Sequence, residues 1–266
     1  MAKRSRLDAE LVRRGHARSR GHAAELIEDG FVLVSGMVAS KAATQIGTDQ
    51  PIVVRVPSDE PTYVSRGAHK LIGALDGFKL DVAGRRALDA GASTGGFTDV
   101  LLRRGVAHVT AVDVGYGQLA WPLRSDERVR VMERVNVREL TAEQIGEPHP
   151  DLVVGDLSFI SLKLVLGPLR DCVAADADFA MMVKPQFEVG KARVGAGGVV
   201  RDPELRAEAV SDVAAHALTL GLGVVDVTAS PLPGPSGNVE YFLWMRAGAP
   251  PLDPAVLERA IQDGPS

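Results

Sequence analysis

The chain has 266 residues, 45% hydrophobic and 24% charged, a composition typical of globular proteins and not of disordered or fibrous ones. Its length suits one α/β domain with a small additional module. No apolar run approaches the roughly 18 residues that span a bilayer, and the first residues lack an apolar signal core. We therefore expect a soluble, cytoplasmic protein that is not bound to a membrane, with a monomer as the default oligomeric state.

The single cysteine, Cys172, excludes an intrachain disulfide framework and a metal site built from clustered cysteines. We interpret it as a small buried apolar residue, and we expect no metal in the functional site.

The net charge of −4 conceals an asymmetry between the two ends of the chain. Residues 1–48 hold eight Lys and Arg against five Asp and Glu, so the rest of the chain carries a net charge of −7. A basic N-terminal module on an acidic body indicates a polyanionic partner that binds the N-terminal end.

The N-terminal residues predict two short helices followed by a β-hairpin. The first helix runs from Arg6 to a glycine stop at Gly15, and Ser19 caps a second helix that ends at Gly30. Two short β runs then surround a Ser-Gly turn within residues 31–38. These elements form a compact unit over residues 1–56, and a polar, proline-bounded linker follows over residues 57–64.

The order of residue types over about residues 5–50 resembles the S4 RNA-binding domain. The resemblance is carried by Arg6-Leu7-Asp8, Gly15, Ala17-Arg18-Ser19-Arg20, Ile27, Gly30 and Val32-Leu33-Val34-Ser35-Gly36. It implies binding of a structured RNA through its phosphates and shape more than through its base sequence. The residues that we expect to contact RNA are Arg4, Arg6, Arg18, Ser19, Arg20 and Lys41, with Arg66 beyond the module.

The second domain, residues 65–246, alternates β runs with helical patterns. Strands are predicted near 86–90, 108–113, 129–132, 151–156, 178–184, 223–230 and 239–246, and helices near 65–75, 95–104, 160–171 and 202–220. This alternation predicts an α/β fold with a Rossmann-like, doubly wound and mostly parallel sheet, which binds ligands at the carboxyl ends of its strands. Residues 247–266, with four prolines, are predicted to be a peripheral tail.

A glycine loop between the first strand and the following helix indicates a nucleotide-like cofactor, because glycines allow backbone N–H groups to approach a ligand closely. The loop lacks the dinucleotide pattern Gly-x-Gly-x-x-Gly, since Ser93 stands where the second glycine belongs. About 22 residues after Gly91, Asp113 closes the next apolar run, at the usual spacing of an acid that binds a ribose diol.

The pattern Leu-Asp-x-Gly-x-x-x-Gly-Gly-Phe resembles the first motif of S-adenosylmethionine-dependent methyltransferases. The resemblance implies that the loop cradles the amino acid part of the cofactor and that Asp113 binds its ribose. Asn136 is expected to meet the adenine, and Phe159 either packs beside the adenine or belongs to the core. The cofactor contacts so predicted are Asp89, Gly91, Ala92, Ser93, Thr94, Gly95, Gly96, Asp113, Asn136, Asp156 and Phe159.

Four further polar residues, Lys70, Asp156, Lys184 and Glu240, fall where strand ends or helix starts converge on one rim of the predicted sheet. A lysine directly after a buried strand is costly unless it is paired, so we expect the Lys184 ammonium to face a carboxylate. Each residue alone is more often a member of a structural ion pair than a catalyst, but their joint occurrence favours a catalytic site.

In order and context, these four residues resemble the Lys-Asp-Lys-Glu tetrad of the FtsJ-type ribose 2′-O-methyltransferases. The matching segments are 65–71, 155–161, 183–188 and 236–241. Together with the S4-like start, residues 5–246 resemble the TlyA family, described both as hemolysins and as methyltransferases of cytidines in 16S and 23S rRNA. The resemblance implies S-adenosylmethionine as cofactor and ribosomal RNA or ribosomal subunits as partners.

The chemistry of ribose methylation requires such a set. A ribose hydroxyl is a poor nucleophile at neutral pH, so a base must take its proton as it attacks the methyl group. A lysine serves as a base if it is partly desolvated or beside another cation. We expect Lys184 to be the base, Lys70 to position the hydroxyl, Asp156 to orient Lys184, and Glu240 to hold the lysines in register.

Two other methyltransferase classes fit the residues poorly. An enzyme that methylates base amino groups would show Asn/Asp-Pro-Pro-aromatic where this chain has Asp156-Leu157-Ser158-Phe159. An enzyme that methylates pyrimidine C5 needs a cysteine nucleophile, and Cys172 lies within a predicted helix.

Three further alternatives stay open at this point. An RNA-binding assembly factor would need the S4-like module alone. A membrane-lysing protein would need an apolar or strongly amphipathic cationic segment, and none is evident. A dehydrogenase is the most distant. The glycine-rich, basic segment 188–202 either closes over RNA or the cofactor or is a flexible connection.

Overall fold

The computed structural model describes residues 4–54, 62–234 and 236–265. Contacts between Cα atoms divide the chain into two units, Met1–Thr62 and Tyr63–Ser266. Residues 57–61 of the predicted linker lie outside the described residues.

The first unit is a small α+β module with its own hydrophobic core. Its core includes Leu7 and Leu11 of the first helix, Ile27 of the second and Val32 of the sheet. One sheet pairs β1 with β4 and the other has the order β3-β2-β5, all antiparallel. The elements are β1 Arg4–Arg6, α1 Leu7–Arg13, α2 Arg20–Glu28, β2 Val32–Val34, β3 Met37–Val38, β4 Gln45–Gly47 and β5 Ile52–Val54.

Local chemistry sets the boundaries that the sequence predicts in this unit. The Ser19 hydroxyl accepts a hydrogen bond from the His22 N–H at 3.1 Å and so caps α2. Ser35 and Gly36 both have positive φ, 51° and 84°, which is the backbone of a tight hairpin turn between β2 and β3.

The second unit is a three-layer α/β domain. Its helices are α3 Gly67–Phe78, α4 Gly96–Arg103, α5 Trp121–Arg124, α6 Ala142–Ile145, α7 Leu166–Asp171, α8 Pro185–Glu188, α9 Pro203–Thr219 and α10 Pro254–Gln262. Its strands are β6 Arg86–Ala90, β7 His108–Asp113, β8 Val129–Glu133, β9 Leu152–Gly155, β10 Asp178–Val183, β11 Leu222–Ala229 and β12 Tyr241–Ala247.

The seven strands have the order β11-β12-β10-β9-β6-β7-β8. The five strands from β10 to β8 run parallel to one another. β12 pairs antiparallel with both β10 and β11. The fold class predicted from the sequence is thereby confirmed. The strand order reverses between β6 and β9, and such a switch point opens a crevice at the carboxyl ends of the strands.

Side chains on the two faces of this sheet belong to separate cores. On β6, Ala87 packs in the core with α3 and α4, whereas Leu88 packs in the core with α7, α9 and α10. Successive strand residues point to opposite faces, so nearly continuous apolar strands bury both faces of a covered sheet.

The end of the chain differs from the peripheral tail that the sequence suggests. Residues Pro254–Gln262 form α10, whose Leu257 and Ala260 are buried in the core beside α9. The Asp253 carboxylate accepts the Ala255 N–H at 2.8 Å and caps this helix. Within the described residues, no helix has both the length and the apolarity needed to cross a membrane.

A buried carboxylate fastens the amino end of the sheet. Asp178, at the start of β10, accepts hydrogen bonds from Arg85 at 2.6 Å, Trp244 at 2.6 Å and Arg246 at 2.7 Å. Burial by itself raises the pKa of this carboxyl, but the three hydrogen bonds outweigh burial and hold the pKa of Asp178 below its usual range.

We expect Asp178→Ala to lower the free energy of unfolding by about 3 kcal/mol, because it leaves two guanidinium groups and an indole N–H without their acceptor. Urea unfolding measures the change. Asp76→Ala is the matched control, since Asp76 forms an exposed ion pair with Arg104 worth about 0 to 1 kcal/mol. Equal losses in the two variants would contradict the structural role of Asp178.

Candidate active site

The register of the sheet brings three of the four predicted catalytic residues to one edge. Asp156 directly follows β9, and Lys184 directly follows β10. Because β12 runs antiparallel to β10 and pairs Tyr241 with Val183, Glu240 lies just before β12 at the same edge. The first turns of α3 bring Lys70 to this edge as well, where its side chain meets Glu240.

Lys70 and Glu240 form a buried ion pair. Lys70 Nζ lies 2.5 Å from Glu240 Oε2, and the two side chains are only 6% and 1% exposed. Glu240 Oε1 is buried and has no hydrogen-bond partner among the residues that the structure describes. The backbone of Gly234 packs against this oxygen, since a Cβ at Gly234 would lie 2.6 Å from it.

Lys184 forms the second ion pair of the site. Its Nζ lies 2.5 Å from Asp156 Oδ1 and donates a hydrogen bond to Ser158 Oγ at 2.7 Å. The Lys184 side chain is 8% exposed and that of Asp156 is 25% exposed, so the pair lies just below the surface. The predicted pairing of Lys184 with a carboxylate is therefore present.

These residues face an open cleft of about 750 Å³, including its mouth. The cleft is lined by Arg66, Gly67, Lys70, Gly91, Ala92, Ser93, Gly96, Phe97, Asp156, Ser158 and Lys184. Both lysines thus share one cavity with the glycine loop, which is the arrangement needed to bring a cofactor and a substrate hydroxyl together.

The glycine loop approaches the catalytic edge through its backbone. Gly91 and Gly95 have φ values of 86° and 100°, which side-chain-bearing residues rarely adopt. A Cβ at Gly91 would lie 3.1 Å from the Asp156 carbonyl oxygen, so a larger residue there would displace Asp156. Ser93 also has a positive φ, 48°, at the position where the dinucleotide pattern has glycine.

Asp113 lies beside the same loop, at the end of β7. Its carboxylate accepts the Ser93 N–H at 2.8 Å and the Gly115 N–H at 2.6 Å. It lines a second, smaller pocket together with Gln118 and Glu133, and Ala92 and Ser93 line both pockets. Asp113 thus lies next to the loop, and its binding of a ribose stays a prediction.

Asp89 is fully buried behind the loop. Its Oδ2 accepts a hydrogen bond from the Thr98 hydroxyl at 2.7 Å, whereas Oδ1 has no hydrogen-bond partner in the described part of the chain. Burial raises the pKa of Asp89 to about 7, and the charges of Asp156 and Asp113 act in the same direction.

Five predicted cofactor contacts line neither pocket: Asp89, Thr94 and Gly95, which belong to the strand and loop behind it, and Asn136 and Phe159. Asn136 is exposed, and its side chain accepts the Arg138 N–H at 3.1 Å to cap a short 3₁₀ turn. Phe159 is 91% exposed with a φ of 65°, and its ring centroid lies 5.2 Å from that of Phe187. Neither residue lines the described cleft, so their contact with the cofactor stays a prediction.

Ser158 and Glu188 are residues of the site to which the sequence analysis assigned no role. Ser158 contacts Lys184, and Glu188 accepts hydrogen bonds from Ser161 Oγ at 2.5 Å and from the Leu162 N–H at 2.8 Å. In the sequence, the only sign of this contact is that Ser158 lies two residues after Asp156. The pairing of β9 with β10 is also needed, because it brings the segment after β9 next to Lys184.

Several residues of the first unit that the sequence predicts to contact RNA form ion pairs or hydrogen bonds within the protein. Asp8 forms ion pairs with Arg6 and Arg20, each at 2.9 Å, and these hold the pKa of its carboxyl well below its usual range. The arginine side chains remain 44% and 59% exposed. Ser19 caps α2, Arg4 and Lys41 are exposed, and Arg66 donates to the Pro233 carbonyl oxygen at 3.4 Å in the second unit.

Comparison with protein families identifies the class. The model of the FtsJ-like methyltransferases matches residues 63–247, and the model of the S4 domain matches residues 5–52. The chain therefore belongs to the FtsJ-like methyltransferases, with an S4 domain ahead of the methyltransferase domain.

Full-length relatives narrow this class to the TlyA family, of which the chain is a member. It is 60% identical over 271 residues, and all of both chains, to the 16S/23S rRNA (cytidine-2′-O)-methyltransferase TlyA of Mycobacterium tuberculosis. It is 37% identical to Hemolysin A of Brachyspira hyodysenteriae, over 89% of this chain and 98% of that one. The solved structure of a protein named as a hemolysin, from Streptococcus thermophilus, matches 98% of this chain and 96% of that one with a TM-score of 0.78 at 34% identity.

The raised pKa of the buried Asp89 carboxyl predicts how the free energy of unfolding depends on pH. Because the folded-state pKa of Asp89, about 7, is above the unfolded value of about 4, the folded state binds more protons. The stability that Asp89 contributes is therefore lost as the pH rises from about 4 to about 7, by an amount on the order of 4 kcal/mol. We expect Asp89→Asn to remove this pH dependence.

Urea unfolding of both proteins at pH 5 and pH 8 measures the effect. The variant should gain stability relative to the parent protein between the two values. Identical pH dependence in the two proteins would show that Asp89 ionises normally in the folded state.

Proposed function

We propose that this protein methylates the ribose 2′-hydroxyl of cytidines in ribosomal RNA with S-adenosylmethionine as methyl donor. The observation that carries the proposal is the cleft in which two carboxylate-paired lysines face a glycine loop. Family membership and the activity for which the M. tuberculosis relative is named support the same reaction.

The residues beside the glycine loop fit the cofactor. Gly91 and Gly96 bring the backbone and the start of α4 to the cleft, while Asp113 offers a carboxylate for ribose hydroxyls. Behind the same loop, Asp89 Oδ1 is an acceptor that has no hydrogen-bond partner among the described residues. The bound cofactor supplies an electrophilic methyl group on a sulfonium.

The reaction needs a group that takes the proton of the hydroxyl. Lys184, in its neutral form, accepts this proton as the 2′-oxygen forms a bond to the methyl carbon. The cofactor, which the glycine loop and Asp113 would hold, would supply the methyl group and would keep the electron pair of the carbon–sulfur bond as a neutral thioether. Lys184 ends as an ammonium ion paired with Asp156, so the charge that appears on the base has a carboxylate 2.5 Å away.

The buried pair of Lys70 and Glu240 places a fixed cation in the same cleft. The Lys70 ammonium donates to the ribose oxygen and holds it against the base, and Glu240 keeps Lys70 in place. Truncating either partner would leave the other charge buried and unpaired, at a substantial cost to stability.

The S4 unit supplies affinity for RNA. Arg4 and Lys41 are exposed, and the ion pairs with Asp8 hold Arg6 and Arg20 in fixed positions without burying them. Ordered guanidinium groups that lose little freedom on binding are well suited to RNA phosphates.

We expect Lys184→Ala to slow single-turnover methylation by about 10²- to 10⁴-fold, which is the usual contribution of a general base. Cofactor affinity, measured by calorimetry, should stay within a few fold because Lys184 is not part of the glycine loop. The assay uses labelled S-adenosylmethionine with separate ribosomal subunits and maps the modified riboses. An unchanged rate, or label on protein or on bases alone, would refute the proposal.

We expect Lys41→Gln to weaken RNA binding uniformly across sequences and to reduce the salt slope of binding by about 1, as loss of one phosphate contact does. Arg13→Gln is the matched control, because it removes the same charge from α1, where Arg13 pairs with Glu10. Filter binding over a salt series measures both variants. An equal effect of the two would mean that net charge alone governs binding.

A further inference from the structure

Ser158 touches the proposed base, yet the reaction as described above gives it no role. We propose that Ser158 is a positioning residue that aims the lone pair of Lys184 at the ribose 2′-hydroxyl. This inference rests on the proposed function, because it concerns the same proton transfer.

The argument begins with the partners of Lys184 Nζ. In the described part of the chain these are Asp156 Oδ1 at 2.5 Å and Ser158 Oγ at 2.7 Å. A neutral amine has two N–H donors and one lone pair in a tetrahedral arrangement. The hydrogen bond to Ser158 fixes the direction of one N–H. Asp156 Oδ1 is an ion-pair partner that makes no hydrogen bond within the described residues, but its negative charge attracts the other N–H and leaves the remaining direction to the lone pair.

A single acceptor would not fix the direction of the Lys184 lone pair. With the ion-pair partner Asp156 alone, either N–H could face the carboxylate, and the lone pair could take either of the two remaining directions. The second acceptor removes this freedom. Lys184, Asp156 and Ser158 all line the cleft that also holds Lys70, so the open side of the amine is the side where a substrate hydroxyl would lie.

The same two contacts suit the product of proton transfer. The proton adds at the lone pair and becomes a third N–H, while Asp156 and Ser158 keep the acceptor positions they already hold. No hydrogen bond has to be broken as the charge appears, and such preorganised acceptors add no reorganisation cost to the reaction.

Ser158 is exposed at the mouth of the cleft, so the structure must hold it in place by other means. The segment that carries it is fastened at its far end by Glu188, which accepts from Ser161 Oγ and from the Leu162 N–H. Glu188 ends α8, the helix that begins directly after Lys184. Residues 184–188 therefore include both the base, Lys184, and Glu188, which holds the segment that carries Ser158.

The test compares Ser158→Ala with Ser158→Thr in the full-length protein with ribosomal subunits as substrate. We expect Ser158→Ala to lower the single-turnover rate at saturating substrates by about 10- to 100-fold, since misaligned reacting groups cost this much. The KM for RNA and the calorimetric affinity for S-adenosylmethionine should not change. Ser158→Thr keeps the hydroxyl and should restore the rate, and Ser125→Ala, outside the site, is the control for a generic loss of a serine.

A double variant separates positioning from other roles. If Ser158 acts only through Lys184, then Lys184→Ala with Ser158→Ala should be no slower than Lys184→Ala alone. A further loss in the double variant, a Ser158→Ala variant as fast as the parent, a Thr variant as slow as the Ala variant, or a change confined to the KM for RNA would each overturn the inference. Failure of the proposed function is distinct, because in that case Lys184→Ala itself would keep the parental rate.

Discussion

Burial of two lysine ammonium groups at one edge of the sheet is the constraint on which the arrangement of this site depends. An ammonium that leaves water must gain a carboxylate, and each lysine has one at 2.5 Å. Satisfying both requires a carboxylate from each side of β10. Asp156 comes from the parallel neighbour β9, and Glu240 comes from β12, whose antiparallel direction places its first residues at the carboxyl edge.

The glycine loop is tied to this charged edge by backbone packing. A Cβ at Gly91 would lie 3.1 Å from the Asp156 carbonyl oxygen, and a Cβ at Gly96 would lie 3.0 Å from the Ala68 nitrogen at the start of α3, which carries Lys70. Small shifts in the loop would therefore move the residues of both ion pairs. A methyl donor held by the loop and a hydroxyl held by the lysines would have their relative positions set by contacts between main-chain atoms, which are stiffer than side-chain contacts.

The sequence predicts much of this protein because the informative signals are local. Apolar runs and glycine stops gave the strand and helix order, and the Ser19 cap and the Ser35-Gly36 turn gave the N-terminal module. The loop beginning at Gly91 and the acid at Asp113 indicated the kind of cofactor. These features depend on a few neighbouring residues, which can be read directly along the chain.

The pairing of distant residues is different, because only the strand order and register of the folded sheet decide it. Sequence placed Lys70, Asp156, Lys184 and Glu240 on one rim and assigned Asp156 to Lys184, but it gave Glu240 to both lysines, whereas the structure pairs Glu240 with Lys70. It assigned no role to Ser158, and it predicted a peripheral tail where α10 packs on the core, since both contacts join segments far apart in the chain. The sequence by itself thus determined the fold class and the type of loop, and it supplied the hypothesis of which groups react. The tertiary structure decided how those groups are paired and oriented, because the free energy of a buried charge depends on what surrounds it in space.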